Sequence, residues 1–365
     1  MAFFLQKPKD IRVSAIIFFG RRNTVEILDH YLRRNLVRCG GWLDDVHFLL
    51  HTRNEDDLAW IKEKVAKVPE YHTKDFSHDA PFGELWRRGV TPGSITIKLD
   101  DDIVWLGDDT IPHIVSTLLA RPEAFCVLSN LINSAAFGWI HHRNGAIHPY
   151  LPEAKPTDVA STPQSPETWR ASELPTYELQ PQQQSPQSKP LFDDEEDLEA
   201  PVPSPNHRWL PLRSEIHLPI TSITRAEYSP WSFNWWHWQV AAQEHYSFLH
   251  NLESNDLSAY EFGNQDGVWN MRYMRSNINV MAIRADDILA HTDEDFEKKG
   301  DDEQILSVDV PKRLGRQVYV QTKALAAHFA FKTQGALYET DLLGRYRAYA
   351  NEMICSEGER IPVTE

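Results

Sequence analysis

Ser94-Ile-Thr-Ile-Lys-Leu-Asp-Asp-Asp-Ile-Val-Trp-Leu106 is a β-type apolar run that breaks into three aspartates, Asp100 to Asp102. Three carboxylates at the mouth of a buried strand repel one another and lose solvation, which is costly unless a cation joins them. In extended backbone Asp100 and Asp102 point to one side and Asp101 to the other. Two oxygens converging from a strand end suit a hard divalent ion such as Mn2+ or Mg2+. The same triplet also reads as an acidic turn that ends a strand without any ion.

Around this stretch the chain alternates between strand and helix patterns. Ile11–Phe19 reads as a buried strand closed by Gly20, and Thr24–Arg38 carries Val25, Leu28, Leu32 and Leu36 at the spacing of one helix face. Val46–Leu50 is a second strand, and Asn54 can cap a helix running through Val68. After the aspartates, Asp109 precedes a helix over Ile111–Ala120 with Pro112 in its first turn, and Ala124–Asn130 is a further strand. Strands separated by helices at this spacing predict an α/β fold: a mostly parallel, Rossmann-like sheet covered by helices on both faces. Residues 152–206 are rich in Pro, Gln, Ser and acids, with the block Asp193–Asp197, and read as a disordered insertion. Structure resumes near His207. Trp231, Trp235, Trp236 and Trp238 crowd the entry to a helix over Trp236–Leu252, Ile278–Ile283 is strand-like, and Leu325–Phe331 alternates around His328. Tyr338–Ile354 carries a helical stripe. The expected organisation is one domain over residues 1–355, with a nucleotide-binding half at 10–150 and an acceptor-side half at 207–355.

The chain has 365 residues, 41% of them apolar, which is enough for one large core or two modest ones. Its net charge of −16, from 53 acids against 37 bases, argues against nucleic acid as a partner. A phosphorylated small ligand stays compatible, because a bound metal reverses the sign of one cleft. Three scattered cysteines form neither a disulfide framework nor a zinc site. No apolar stretch reaches membrane-spanning length. A cytoplasmic setting is expected from these features, with a Golgi or ER membrane as the alternative if an N-terminal anchor precedes this chain.

The strings Phe19-Gly-Arg-Arg22, Ile97-Lys-Leu-Asp-Asp-Asp-Ile103, Asp302-Glu303, Pro311-Lys-Arg-Leu-Gly-Arg316 and Ala327-His-Phe-Ala-Phe331 carry a resemblance. With them the chain resembles glycosyltransferases of the GT-A fold, and more closely a group of fungal glycosyltransferases of uncharacterised activity. The resemblance spans nearly all of the chain outside the insertion. It implies a hexosyltransferase-type enzyme that moves a sugar from a nucleotide-sugar, UDP-linked by preference, to the hydroxyl of a glycan, lipid or protein. The Asp-x-Asp pair would then hold Mn2+ or Mg2+ against the donor diphosphate, with Asp100 and Asp102 as ligands and Asp100 and Asp101 as donor contacts. On spacing alone His328 reads as a buried imidazole bonded to a backbone carbonyl; the resemblance favours a third metal ligand instead. Asp302, then Glu303, are candidate general bases for an inverting transfer, although acids also favour an exposed helix start. Arg21 and Arg22, after the first strand, suit phosphate or uracil carbonyls, as do Arg313 and Arg316 in a second basic stretch.

Rival readings use the same residues. A nucleotidyltransferase would want a glycine-rich loop after the first strand, where this chain has the single Gly20. A phosphohydrolase of the aspartyl-phosphate type would want an aspartate there. A non-catalytic nucleotide-binding module would keep the fold alone. His141, His142 and His148 lack carboxylate partners at metal spacing, and the tryptophans read as core or as an acceptor platform. Glu244 and His245 would approach the acceptor if their helix lines that cleft.

Overall fold

The computed structural model describes residues 6–153, 168–179, 205–226, 230–298 and 300–355. Among them the strands are β1 (Val13–Phe19), β2 (Asp45–Leu50), β3 (Tyr71–Asp75), β4 (Ile95–Asp100), β5 (Ile103–Leu106), β6 (Ala124–Ile132), β7 (Tyr150–Pro152), β8 (Trp209–Pro211), β9 (Val268–Asn270), β10 (Val280–Arg284) and β11 (Gln317–His328). The chain forms two compact units, Met1–Asn130 with Phe262–His328 and Leu131–Glu261 with Phe329–Glu365. This division differs from the halves expected at 10–150 and 207–355. Phe262–His328 belong to the first unit because β10 and β11 are strands of its sheet.

The first unit is built on one sheet in the order β3-β2-β1-β4-β10-β6-β11-β5, with β9 paired to β11. β3, β2, β1 and β4 run parallel, as the alternating pattern predicts. β10 enters antiparallel between β4 and β6, so the sheet is mixed. All nine residues of β6 are buried, as are six of the seven in β1. Successive side chains point to opposite faces, so such unbroken burial means that both faces are covered. Helix Arg22–Arg34 packs against β5, and helix Thr110–Ala120 packs against β10 and β11. Helix Glu55–Lys67 starts at Asn54, whose Oδ1 accepts from the amides of Asp56 at 3.0 Å and Asp57 at 3.2 Å. The helix expected over Thr24–Arg38 stops at Arg34, where the chain folds back and Leu43 N donates to Asn35 O at 2.8 Å.

The second unit centres on helix Trp238–Glu253, buried on nearly every side. Ala135, Ile147, Ile223, Ala226, Trp235 and Val240 form one apolar cluster there, so Trp235 is core, whereas Phe233 is 78% exposed. β7 and β8 pair antiparallel. Of the expected insertion, residues 168–179 are ordered: Trp169 is buried and its indole donates to Glu352 at 3.0 Å. Asp193–Asp197 lie outside the described residues. The stripe over Tyr338–Ile354 resolves into helix Leu342–Tyr349 continued by a wider turn, with a separate 3-10 stretch before it. Among the described residues no helix is long and apolar enough to cross a membrane.

Candidate metal and donor site

The candidate site lies in the first unit, at the carboxyl ends of β1 and β4. These strands are parallel with Phe18 opposite Asp100, so Gly20–Arg21 and Asp101–Asp102 leave the sheet at one edge. Asp101 turns toward β1: its Oδ2 accepts from Gly20 N at 2.7 Å and its Oδ1 from Arg21 Nε at 2.9 Å. A Cβ on Gly20 would stand 3.1 Å from Asp101 Oδ2, so a glycine suits this close approach. Asp101 is thereby committed to the end of β1. Burial and Asp102 push its pKa up, and Arg21 offsets this only in part.

Asp100, Asp102 and His328 come together, each offering a ligand atom within 4.8 Å of the others. Asp100 continues the side of β4 that carries Lys98, which pairs with its Oδ1, while Asn279 donates to its Oδ2 at 2.6 Å. Asp102 Oδ2 stands 3.0 Å from Arg21 and 3.3 Å from His328 Nε2. The ring gets there because β11 shifts register against β5 between Ala327 and His328, an irregularity that re-aims a side chain. Asp102 Oδ1 is buried without a hydrogen-bond partner, a deficit that a cation would remove. The donor set of two carboxylates and an imidazole fits Mn2+ or Mg2+ with its remaining positions left for other oxygens.

The electrostatics are dense. Burial alone would raise the pKa of Asp102, but His328 and Arg21 outweigh it and hold the carboxyl below its ordinary value. Burial opposes charge on His328, and Asp102 overcomes it to raise the imidazole pKa. Burial likewise opposes charge on Lys98, yet Asp100, Asp302 and Asp102 raise its pKa, so it is an ammonium.

Asp302 and Glu303 open a short helix whose N-cap is Asp301. Asp302 accepts from the indole of Trp86 at 3.0 Å, and burial raises its pKa against the pull of Lys98. Glu303 spends one oxygen on Arg275 at 2.5 Å and the other on Asn277 at 3.0 Å. The field of Lys98 reaches both carboxyls, but Glu303 is also tied to Arg275 and Asn277.

Three predicted donor contacts are not brought to the aspartates. Arg22 bonds Glu26 at 2.5 Å and lies over Trp60. Arg313 is held by His291 O and Asp295, and Arg316 by Asp287 and Ala124 O. The basic stretch precedes β11 whereas His328 ends it. At about 3.3 Å per residue the two ends of this strand are roughly 35 Å apart, and Arg313 and Arg316 precede the end opposite His328. In the second unit, His141 is buried with its pKa lowered to about 3 by burial, and His148 bonds Glu215 and Asn251. Glu244 and His245 are wholly buried. Sequence reasoning missed Lys98, Asn279 and Trp86. A lysine two residues before Asp100 in an otherwise apolar strand was a usable signal; nothing in the sequence ties Asn279 or Trp86 to the site.

No family model and no curated protein matches the chain. Among solved structures it is similar to GalNAc-T7 with UDP, GalNAc and Mn2+, at 10% identity over 93% of this chain and 48% of that chain, with a TM-score of 0.44. It is also similar to the mannosyltransferase PcManGT from Pyrobaculum calidifontis in complex with GDP-Man and Mn2+, at 20% identity over 34% of this chain and 39% of that one, TM-score 0.27. A third similar structure is 4-diphosphocytidyl-2C-methyl-D-erythritol synthase from Anaerococcus prevotii, at 17% identity over 34% and 57% of the two chains, TM-score 0.26. The matches thus span 39% to 57% of the lengths of these three chains.

Proposed function

We propose that this protein is a metal-dependent glycosyltransferase that moves a hexose from a nucleotide-sugar, UDP-linked by preference, to an acceptor hydroxyl with inversion. The observation that carries the reading is the convergence of Asp100, Asp102 and His328 at the carboxyl ends of β1 and β4. These three would hold Mn2+ or Mg2+, which, when bound, neutralises charge on a departing diphosphate. Arg21, at the same edge, offers a guanidinium to the phosphates or the base. Asp302 is the residue assigned to take the acceptor proton. Its raised pKa makes it a stronger base than an ordinary carboxylate, and the Trp86 indole fixes its orientation. Glu303 is better read as a support, because Arg275 and Asn277 occupy its oxygens.

A thermal-shift and donor-hydrolysis screen of UDP- and GDP-sugars with Mn2+, repeated on Asp102→Asn, tests this reading. One nucleotide-sugar should stabilise the protein only with metal, be hydrolysed slowly, and lose both effects in the variant. Equal stabilisation of both proteins would refute the site, and stabilisation without donor turnover would favour a binding module.

A further inference from the structure

Two basic side chains stand on the carboxylates assigned to the metal, one on each. Lys98 pairs with Asp100 and is 4% exposed, whereas Arg21 pairs with Asp102 Oδ2 at 3.0 Å and is 43% exposed. Lys98 is enclosed, with its ammonium over the Phe18 ring at 5.5 Å. Arg21 differs because its guanidinium is shared. Nε donates to Asp101 Oδ1 at 2.9 Å, and a terminal nitrogen reaches both Asp101 and Asp102. Asp101 is 5% exposed and also anchored by Gly20 N.

Resting on the metal reading above, we propose that Arg21 is an exchangeable counter-ion: it competes with the divalent cation for Asp102, stays tethered to Asp101 when displaced, and then binds the diphosphate of the donor. Like charges held against one buried carboxylate repel, so a guanidinium on Asp102 weakens cation binding. Once a cation takes that carboxylate, Arg21 gives up Asp102 and keeps Asp101. The fork is then held at the site edge, positioned for phosphate oxygens. Lys98 has no such freedom and acts as a fixed charge beside Asp100. Arg21 therefore couples the two ligands: it disfavours the bare cation and favours the cation with a diphosphate.

The experiment is calorimetric titration of the full chain with Mn2+ alone, then with UDP and with GDP at saturating Mn2+, for wild type, Arg21→Gln, Arg21→Lys and Asp102→Asn. Arg21→Gln should bind Mn2+ roughly 5- to 10-fold tighter and the nucleotide that wild type prefers roughly 10-fold weaker. Arg21→Lys keeps a cation for Asp101 but cannot span both aspartates, so it should also tighten Mn2+. Lost packing alone would weaken both ligands, so opposite signs mark the coupling. Arg21 variants that bind Mn2+ no tighter than wild type overturn the proposal, while the metal reading survives if Asp102→Asn abolishes Mn2+ binding. Failure of wild type and both Arg21 variants to bind Mn2+ overturns both.

Discussion

Glu244 offers a sharp test of the burial and electrostatics that organise the second unit. It lies in helix Trp238–Glu253 at 1% exposure, with Oε2 accepting from Asn133 N at 2.9 Å and Oε1 buried without a partner. Gly138 packs closely on it: a Cβ there would sit 3.1 Å from Oε1 and 2.5 Å from the Trp235 ring. Burial pushes the carboxyl up to about 8 from its ordinary 4.5, with the Asn133 amide pulling back. The folded-state value lies above the unfolded one. The stability contributed by the neutral carboxyl is therefore fully present below pH 4.5 and is lost as pH rises toward about 8. At 1.36 kcal/mol per pH unit the loss is at most about 5 kcal/mol. Local opening that admits water reduces it to about 2 kcal/mol. Glu244→Gln keeps the acceptor for Asn133 N and removes the titration. Thermal melts at pH 5 and pH 9 should show the two proteins nearly equal at pH 5 and the variant higher by roughly 4–8 °C at pH 9. Parallel pH profiles, or a variant that melts lower at both values, would refute a buried neutral carboxyl.

Other expectations are simpler. Chelation with EDTA should abolish donor turnover and added Mn2+ restore it, and His328→Ala should raise the Mn2+ requirement in the same assay; turnover that persists without metal would remove the ion from the reaction. Asp302→Asn should lower turnover by roughly 100- to 10,000-fold with donor affinity retained, whereas Glu303→Gln should cost less than about 10-fold because its role is to hold Arg275 and Asn277. Equal losses in single-turnover measurements would reverse that assignment. Asn54→Ala should destabilise the first unit by about 1 kcal/mol in urea denaturation through loss of its helix cap, and an unchanged midpoint would show that the cap is redundant.

The elements that sequence reasoning located are those whose signal is local. β1, β2, β4 and β6 are mainly apolar runs, and Asn54 announces its helix by residue type and place. β3 and β5 were missed for opposite reasons. β3 is polar enough to look like loop, with its stability coming from pairing to β2. β5 is only four residues and follows the aspartates at once, so periodicity has no length in which to show. The antiparallel entry of β10 between β4 and β6 was not legible at all. Residues 101–279 separate β4 from β10, and strand order depends on which edges remain to be covered rather than on the strand's own residues. The separation of Arg313 and Arg316 from His328 has the same root. Their closeness to His328 in sequence is closeness along a fully extended strand, which puts the ends of twelve residues at opposite edges.

The electrostatic premise read from the triplet also needs restating. Clustered carboxylates at a strand end were expected to demand an external cation, yet the protein supplies cations of its own. Lys98 answers Asp100, Arg21 answers Asp101 and Asp102, and His328 is drawn toward its charged form by Asp102. Charge alone therefore does not distinguish a metal site from a self-neutralised acidic turn. What favours the metal is geometry that neutralisation does not explain: a distant strand shifts register where His328 meets Asp102, and Asp102 Oδ1 is buried without a hydrogen-bond partner. An acidic turn needing only counter-charge would be served by Arg21 without the imidazole. The ring, rather than the acids, is the residue on which the metal reading turns.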